Sequence, residues 1–161
     1  MKFNYQKYGQ YFAQVAGGME SMGEIELKEL GAVNISKAYR GLHFEANHET
    51  LYKVNYCSRL CTRFLAPLVH FRVHNTDYLY KKAKEIPWEM FLDPAKTFAV
   101  FSTVSHSHIR HSQYASLKIK DAVVDSIRDK TGVRPDIDRL TPDLWINLHI
   151  QNNKASISVD T

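Results

Sequence analysis

The sequence predicts an α+β chain in two parts, a β-α-β-β-α-β unit over residues 1–70 followed by an α/β unit over residues 71–161. Three observations carry this reading. Short runs of β-branched, aromatic or alternating apolar residues recur along the chain, stretches of helical period separate them, and glycine, asparagine or proline punctuates most junctions. The element order of the first part is that of a ferredoxin-like unit, in which two helices cover one face of a four-stranded sheet.

"YFAQVA" (11–16) is the first strand. Gly17-Gly18 breaks it ahead of "MESMGEIELKELGA" (19–32), where Met22, Ile25, Glu26 and Leu30 follow helical spacing and Gly31 supplies a left-handed stop. "VNISKAYR" and "LHFEA" flank Gly41 as a hairpin. "NHETLYKVNYCSRLCT" (47–62) opens on Asn47 as N-cap and sets Leu51, Val54, Cys57 or Ser58, and Cys61 along one helical stripe; "RFLAPLVHFRV" (63–73) is the strand that follows.

The second part begins with a short helix, "NTDYLYKKAKEI" (75–86), started by Asn75 and Thr76 and ended at Pro87-Trp88. "KTFAVFSTVS" (96–105) has the composition of a strand. "SQYASLKIKDAVVDSIRDKTGVRPDID" (112–138) reads as one long amphipathic helix that closes on Gly132 and turns at Pro135. "DLWINLHI" places Leu144, Ile146, Leu148 and Ile150 on one side, and "KASISVDT" pairs back across Gln151-Asn152-Asn153. No internal repeat or low-complexity linker interrupts the chain.

With 161 residues, 44% of them apolar, the chain can bury a real core. A formal charge of +4 favours polyanions only mildly, so the position of the cations decides more than their number. The two cysteines fit a reducing compartment better than a disulfide framework. The opening "MKFNYQKYGQYF" lacks the apolar core of a signal peptide, and no stretch approaches the roughly 18 apolar residues of a membrane span. A cytoplasmic protein without a membrane partner is expected.

The long helix resolves into faces at about 100° per residue. Ala115, Ile119, Ala122, Val123 and Ile127 form the buried arc, and Tyr114, Lys118, Asp121, Asp125 and Arg128 lie opposite. Lys120 projects at the margin of the apolar arc, where a covered stem presents its ammonium at a defined point. Ahead of the helix, "STVSHSHIRHSQ" carries Ser105, His106, Ser107, His108, Arg110 and His111 from a strand end to a helix N-terminus, where free amides and the dipole favour an anion. Hydroxyls and imidazoles add neutral donors, and Arg110 adds a fork suited to phosphate oxygens. The contact surface expected for RNA is Ser105, His106, Ser107, His108, Arg110, His111, Lys118 and Lys120, flanked by Arg128, Lys130 and Arg134.

The same loop has a metallic reading. "HSHIRH" resembles the HxHxDH signature of the metallo-β-lactamase family but carries Arg110 where that family has a metal-binding aspartate. A single zinc on His106, His108 and His111, serving a metal-dependent hydrolase, is the alternative, though no nearby carboxylate or thiol supplies a supporting shell. A protein-interaction module using the exposed sheet of the first part, with Tyr39 and Arg40, is another. There is no GxGxxG or GxxxxGK[ST] loop, "GGMESMG" has the spacing of a tight strand-to-helix turn, and Asp121 and Asp125 read as solvated carboxylates. No nucleophile has a matching base, so no catalytic residue is assigned.

"YFAQVAGGMESMGEIELKELGAVNISKAYRGLHFEA", "YCSRLCTRFLAPLVHF", "YASLKIKDAVVDSIRDKTGVRPDID" and "PDLWINLHIQNNKASISVDT", in this order, resemble the N-terminal region of bacterial THUMP-containing RNA methyltransferases. The nearest group methylates the exocyclic amine of guanine in large-subunit ribosomal RNA, and "LKIKDAVVDSIR" with "RPDID" is the most specific block. The resemblance implies a ferredoxin-like subdomain followed by a THUMP domain, whose signature can be read from near residue 45. It also implies ribosomal RNA as partner and a methyltransferase domain in the parent chain. That domain would bind S-adenosylmethionine and carry an Asn/Asp-Pro-Pro-aromatic motif; neither it nor the motif occurs in these residues, so no cofactor is expected in this segment.

Overall fold

Tyr11, Ala13 and Val15 alternate into the core along the first long strand, and that period-two pattern sets the register of the unit around it. The computed structural model describes residues 3–161, so Met1 and Lys2 of the expected first subdomain lie outside the described residues. The chain divides into Met1–Leu68 with Asp160–Thr161, and Val69–Val159.

In the first unit a short helix, α1 (Asn4–Tyr8), precedes β1 (Gln10–Val15), α2 (Glu20–Glu29), β2 (Val33–Ala38), β3 (Gly41–Glu45), α3 (His48–Cys57) and β4 (Cys61–Arg72). The strands lie in the order β2-β3-β1-β4 with antiparallel neighbours, the ferredoxin-like arrangement read from the sequence. Tyr11, Phe44 and Phe64 form an aromatic row across three strands, with centroids 5.7 and 6.0 Å apart. Leu27, Leu42 and Val54 close the core above them and are fully buried.

Two local expectations in this unit are corrected. Met22 and Ile25 stay 54% and 59% exposed, while Gly23 and Leu27 face inward. The absent side chain at Gly23 explains the rotation, because a Cβ there would stand 2.8 Å from Leu42 Cδ1, so glycine lets α2 settle on the sheet at that point. α3 also ends at Cys57, and Cys61 opens β4, so the two thiols do not share a helical face. Glu26 of α2 accepts from the Ser58 hydroxyl at 2.6 Å and from the amides of Arg59 and Leu60 at 2.8 and 3.2 Å, drawing these residues out of the helix.

The second unit takes the end of β4 and adds α4 (Thr76–Lys84), a 3-10 turn at Trp88–Met90, β5 (Thr97–Ser105), α5 (Ser112–Thr131), β6 (Asp136–Ile137), β7 (Leu144–Gln151) and β8 (Lys154–Asp160). Its strands run β8-β7-β5-β6, with β5 parallel to both β7 and β6, and β7 and β8 joined as an antiparallel hairpin. The expected α+β class therefore holds, with α5 as the crossover that parallel β5 and β7 require. Asn75 caps α4 by accepting from the Tyr78 amide at 2.8 Å, and Gly132 closes α5 at φ 74°, a left-handed position glycine adopts without strain.

Ala115, Ile119, Ala122, Val123 and Ile127 are buried as the spacing of α5 predicts, and so are Val124 and Ser126. The face expected to be solvated is partly covered by α4. Lys118 reaches Asp77 at 3.7 Å, Asp125 accepts from the Tyr80 phenol at 2.7 Å, and Asp129 pairs with Lys84 at 2.7 Å. Of the span 112–138 read as one long helix, α5 takes Ser112–Thr131; beyond Gly132 and Pro135 the chain forms β6, whose two residues are too few to show alternation in the sequence.

Candidate nucleic-acid interface

The α4–α5 contacts advance in the same direction along both helices: Asp77 with Lys118, Tyr80 with Asp125, Lys84 with Asp129. The two helices therefore run parallel, and their N-termini lie at the same end of the second unit. β5 and β7, being parallel, finish at that end as well, with Ser105 opposite Gln151. The carboxyl ends of parallel strands and the amino ends of the helices after them gather free amides in one place, which is where open α/β sheets offer a site to anionic ligands.

The loop between β5 and α5 is built against the β7–β8 turn. His106 takes φ 47° and turns the chain off the strand. The Ser107 hydroxyl donates to Asn153 Oδ1 at 2.9 Å, the His108 amide donates to the same oxygen at 2.9 Å, and the Ile109 amide donates back to Ser107 Oγ at 3.2 Å. Asn153 itself sits at φ 59°, its carbonyl accepts from the Val73 amide at 2.9 Å, and the Asn152 amide reaches the Ser105 carbonyl at 3.3 Å. Ile109 is buried beneath this loop. His106, His108, Arg110 and His111 are left exposed above it.

The structure divides the expected RNA surface. Ser105, His106, Ser107, His108, Arg110 and His111 are brought together, although the Ser107 hydroxyl is consumed by the loop's own bonds. Arg110 and His111, with Ser112, Gln113, Tyr114 and Leu117, line a shallow depression at the start of α5. Lys118 lies on the flank of this area, with its ammonium 5.6 Å from the Tyr114 ring centroid as well as near Asp77. Lys120 points elsewhere, since two residues along a helix turn the side chain by about 200°, and it pairs with Asp121 at 2.6 Å.

Arg128 begins about 24 Å farther along the axis than Ser112, at 1.5 Å per residue. There its guanidinium is held by Asp125 at 2.7 Å and the neighbouring Lys130 by Glu89 at 2.6 Å, while Arg134 is exposed beyond the helix end. Among the described residues Arg110 makes no ion pair, and neither does the exposed Lys154 at the start of β8.

Sequence reasoning missed Asn152 and Asn153 as partners of the loop. They join it through the Asn152 amide, bonded to the Ser105 carbonyl, and through Asn153 Oδ1, bonded to Ser107 and His108, across segments about 45 positions apart that no local pattern links. The Asn-Asn pair was legible as a turn, and its two left-handed residues, φ 50° and 59°, agree with that. Its role as a support for another loop was not.

The metallic alternative finds no convergent ligand set: among the described residues no group of three histidine, cysteine, aspartate or glutamate side chains could hold a metal ion. The left-handed turn at His106 and the pinned His108 amide spread the three imidazoles along an irregular loop. Tyr39 and Arg40 lie in the β2–β3 turn, not on a sheet face; Arg40 has φ 55° and its amide donates to Glu20 Oε1 at 3.1 Å. No helix among the described residues is long and apolar enough to cross a membrane.

Comparisons with known proteins fit the two units. Residues 73–160 match the profile of the THUMP domain, and residues 10–65 match that of the RlmL ferredoxin-like domain. The chain is 39% identical over 150 residues to the ribosomal RNA large subunit methyltransferase K/L of Syntrophotalea carbinolica, covering 93% of this chain and 21% of that protein. The protein of the same name from Magnetococcus marinus is 40% identical over 150 residues, with 93% and 21% covered. The chain thus spans about a fifth of the length of these curated relatives. Among solved structures, SMU.472 complexed with SAH superposes with a TM-score of 0.80 at 21% identity, covering 94% of this chain and 41% of that one; at that identity the likeness is one of fold.

Proposed function

Because the chain belongs to the THUMP domain family, we propose that it is an RNA-holding module which positions ribosomal RNA for an S-adenosylmethionine-dependent guanine methyltransferase domain of its parent polypeptide. Relatives named as large-subunit ribosomal RNA methyltransferases support that reading, as does the length of those relatives outside the matched region. The parent would be the enzyme; this segment would supply grip and orientation. A cytoplasmic location fits such a substrate.

The carrying observation is the shared end of the second unit, where exposed Arg110, Lys154 and the histidines of the 106–111 loop gather beside the N-terminus of α5. Phosphate contacts of this kind fix register and orientation without reading bases, and structured RNA is recognised largely by shape. Lys118 extends the surface along α5. Lys120, Arg128, Lys130 and Arg134 fall outside it.

S-adenosylmethionine is assigned to the catalytic domain of the parent. At the glycine pair ahead of α2 in this segment, the chain leads to Glu20, whose Oε1 accepts from the Arg40 amide at 3.1 Å. The reading is tested by titrating large-subunit ribosomal RNA fragments at low and moderate salt. Binding that falls steeply with salt and is lost in the combined Arg110→Ala, Lys154→Ala protein is expected. Binding indifferent to salt, or retained in that variant, overturns the surface.

A further inference from the structure

We propose that Asn153 is the positioning residue of this RNA-facing surface, holding the 106–109 loop in its binding conformation before any RNA arrives. The inference rests on the RNA reading above and assigns to the β7–β8 turn a task that reading does not require. A loop of this length between a strand and a helix ordinarily samples many conformations, and each binding event then includes the cost of ordering it. Here one side-chain oxygen removes that freedom.

Asn153 Oδ1 takes two donors, the Ser107 hydroxyl and the His108 amide, both at 2.9 Å. The Ser107 oxygen is then directed to accept from the Ile109 amide at 3.2 Å, so three consecutive residues are fixed through one acceptor. The Asn153 carbonyl meanwhile takes the Val73 amide at 2.9 Å, which ties the approach to α4 into the same point. Asparagine suits the position on two counts: it tolerates φ 59°, and its short side chain ends in an acceptor with two lone pairs. Glycine would satisfy only the first requirement. Aspartate satisfies both.

That difference separates positioning from plain structure. Asn153→Gly keeps the left-handed turn and removes the acceptor; Asn153→Asp keeps the turn and restores an acceptor. Both are made in the 161-residue chain and compared with the unchanged protein in two measurements: amide hydrogen exchange at His108 and Ile109 without RNA, and binding of a labelled large-subunit ribosomal RNA fragment at fixed salt. If the freed loop occupies the binding conformation a tenth of the time, affinity falls about tenfold in Asn153→Gly. The expected result is loss of protection at both amides with that drop in affinity, and recovery of protection in Asn153→Asp.

Two outcomes overturn the inference while leaving the RNA reading intact: protection retained in Asn153→Gly, or protection lost with affinity unchanged. If the unchanged protein binds the fragment without salt dependence, the RNA reading fails first. The exchange data then still report whether Asn153 holds the loop.

Discussion

Glu26 of α2 accepts a 2.6 Å hydrogen bond from the Ser58 hydroxyl, and its two oxygens also take the amides of Arg59 and Leu60. One carboxylate thus ends α3 and starts β4, because the chain leaves helical geometry where those donors turn toward it. Burial by itself raises the Glu26 pKa, but the hydroxyl and the two amides outweigh it and hold the carboxyl below its ordinary value. A depressed folded-state pKa contributes stability that is present above the unfolded carboxylate pKa and lost as pH falls through the folded one. Glu26→Ala should cost about 1–3 kcal/mol near neutrality. Urea unfolding at neutral pH and well below about pH 4, the unperturbed glutamate pKa, should show the gap between the two proteins narrowing in acid; parallel curves would refute this account.

On the other unit, Tyr80 donates to Asp125 at 2.7 Å while Asp125 also holds Arg128. The bond to Asp125 raises the phenol pKa, with burial and the carboxylate's charge adding to it. A raised folded-state value means the contribution is present below the unfolded phenol pKa and lost as pH rises through the folded one. Tyr80→Phe should cost about 1 kcal/mol near neutrality, and thermal unfolding should show that difference shrinking at alkaline pH. A constant difference would mean that ring packing against α5, not the hydrogen bond, accounts for the loss.

These two carboxylates also mark where sequence reading stops. Alternation in "YFAQVA" and "DLWINLHI", the asparagine caps at Asn47 and Asn75, and Gly132 after α5 are local signals, and each element they announce is present. The face of α2, the end of α3 and the covering of α5 depend on partners far along the chain, such as Leu42 for Gly23, Glu26 for Ser58 or Tyr80 for Asp125. The candidate interface shows the same split. Residues 105–111 announced themselves as a polar loop ahead of a helix, yet the cations expected beside them sit on other sides of α5 because helical rotation and length separate Lys120 and Arg128 from its start.

Gly41 tests packing that no polar group confounds. In β3 it lies opposite Gln14 of β1, and a Cβ added there would strike the Phe12 ring and stand 2.8 Å from the Ala13 carbonyl oxygen. A ring can rotate away; a strand carbonyl cannot do so without losing its ladder. Gly41→Ala should therefore cost about 3 kcal/mol or more, at the upper end for overpacking, and lower the urea midpoint without changing RNA affinity in the folded fraction. A variant as stable as the parent would mean that β1 and β3 tolerate a shift this register does not allow.

Arg110 and Arg128 make the sharpest comparison at the interface, since each is an exposed arginine associated with α5 and replacing either removes the same charge. Long-range attraction alone would treat them nearly alike. Direct contact would not, because Arg110 has no ion pair among the described residues and stands at the shared end of strands and helices, whereas Arg128 is held by Asp125 at the opposite end. Loss of one phosphate contact lowers the slope of log affinity against log salt by about 0.7–0.9. Arg110→Ala should show that reduction together with weaker binding at moderate salt, and Arg128→Ala should leave the slope near that of the unchanged protein. Equal slopes for the two variants would point to diffuse attraction over the whole basic surface, and a larger change for Arg128→Ala would move the contact to the far end of the helix.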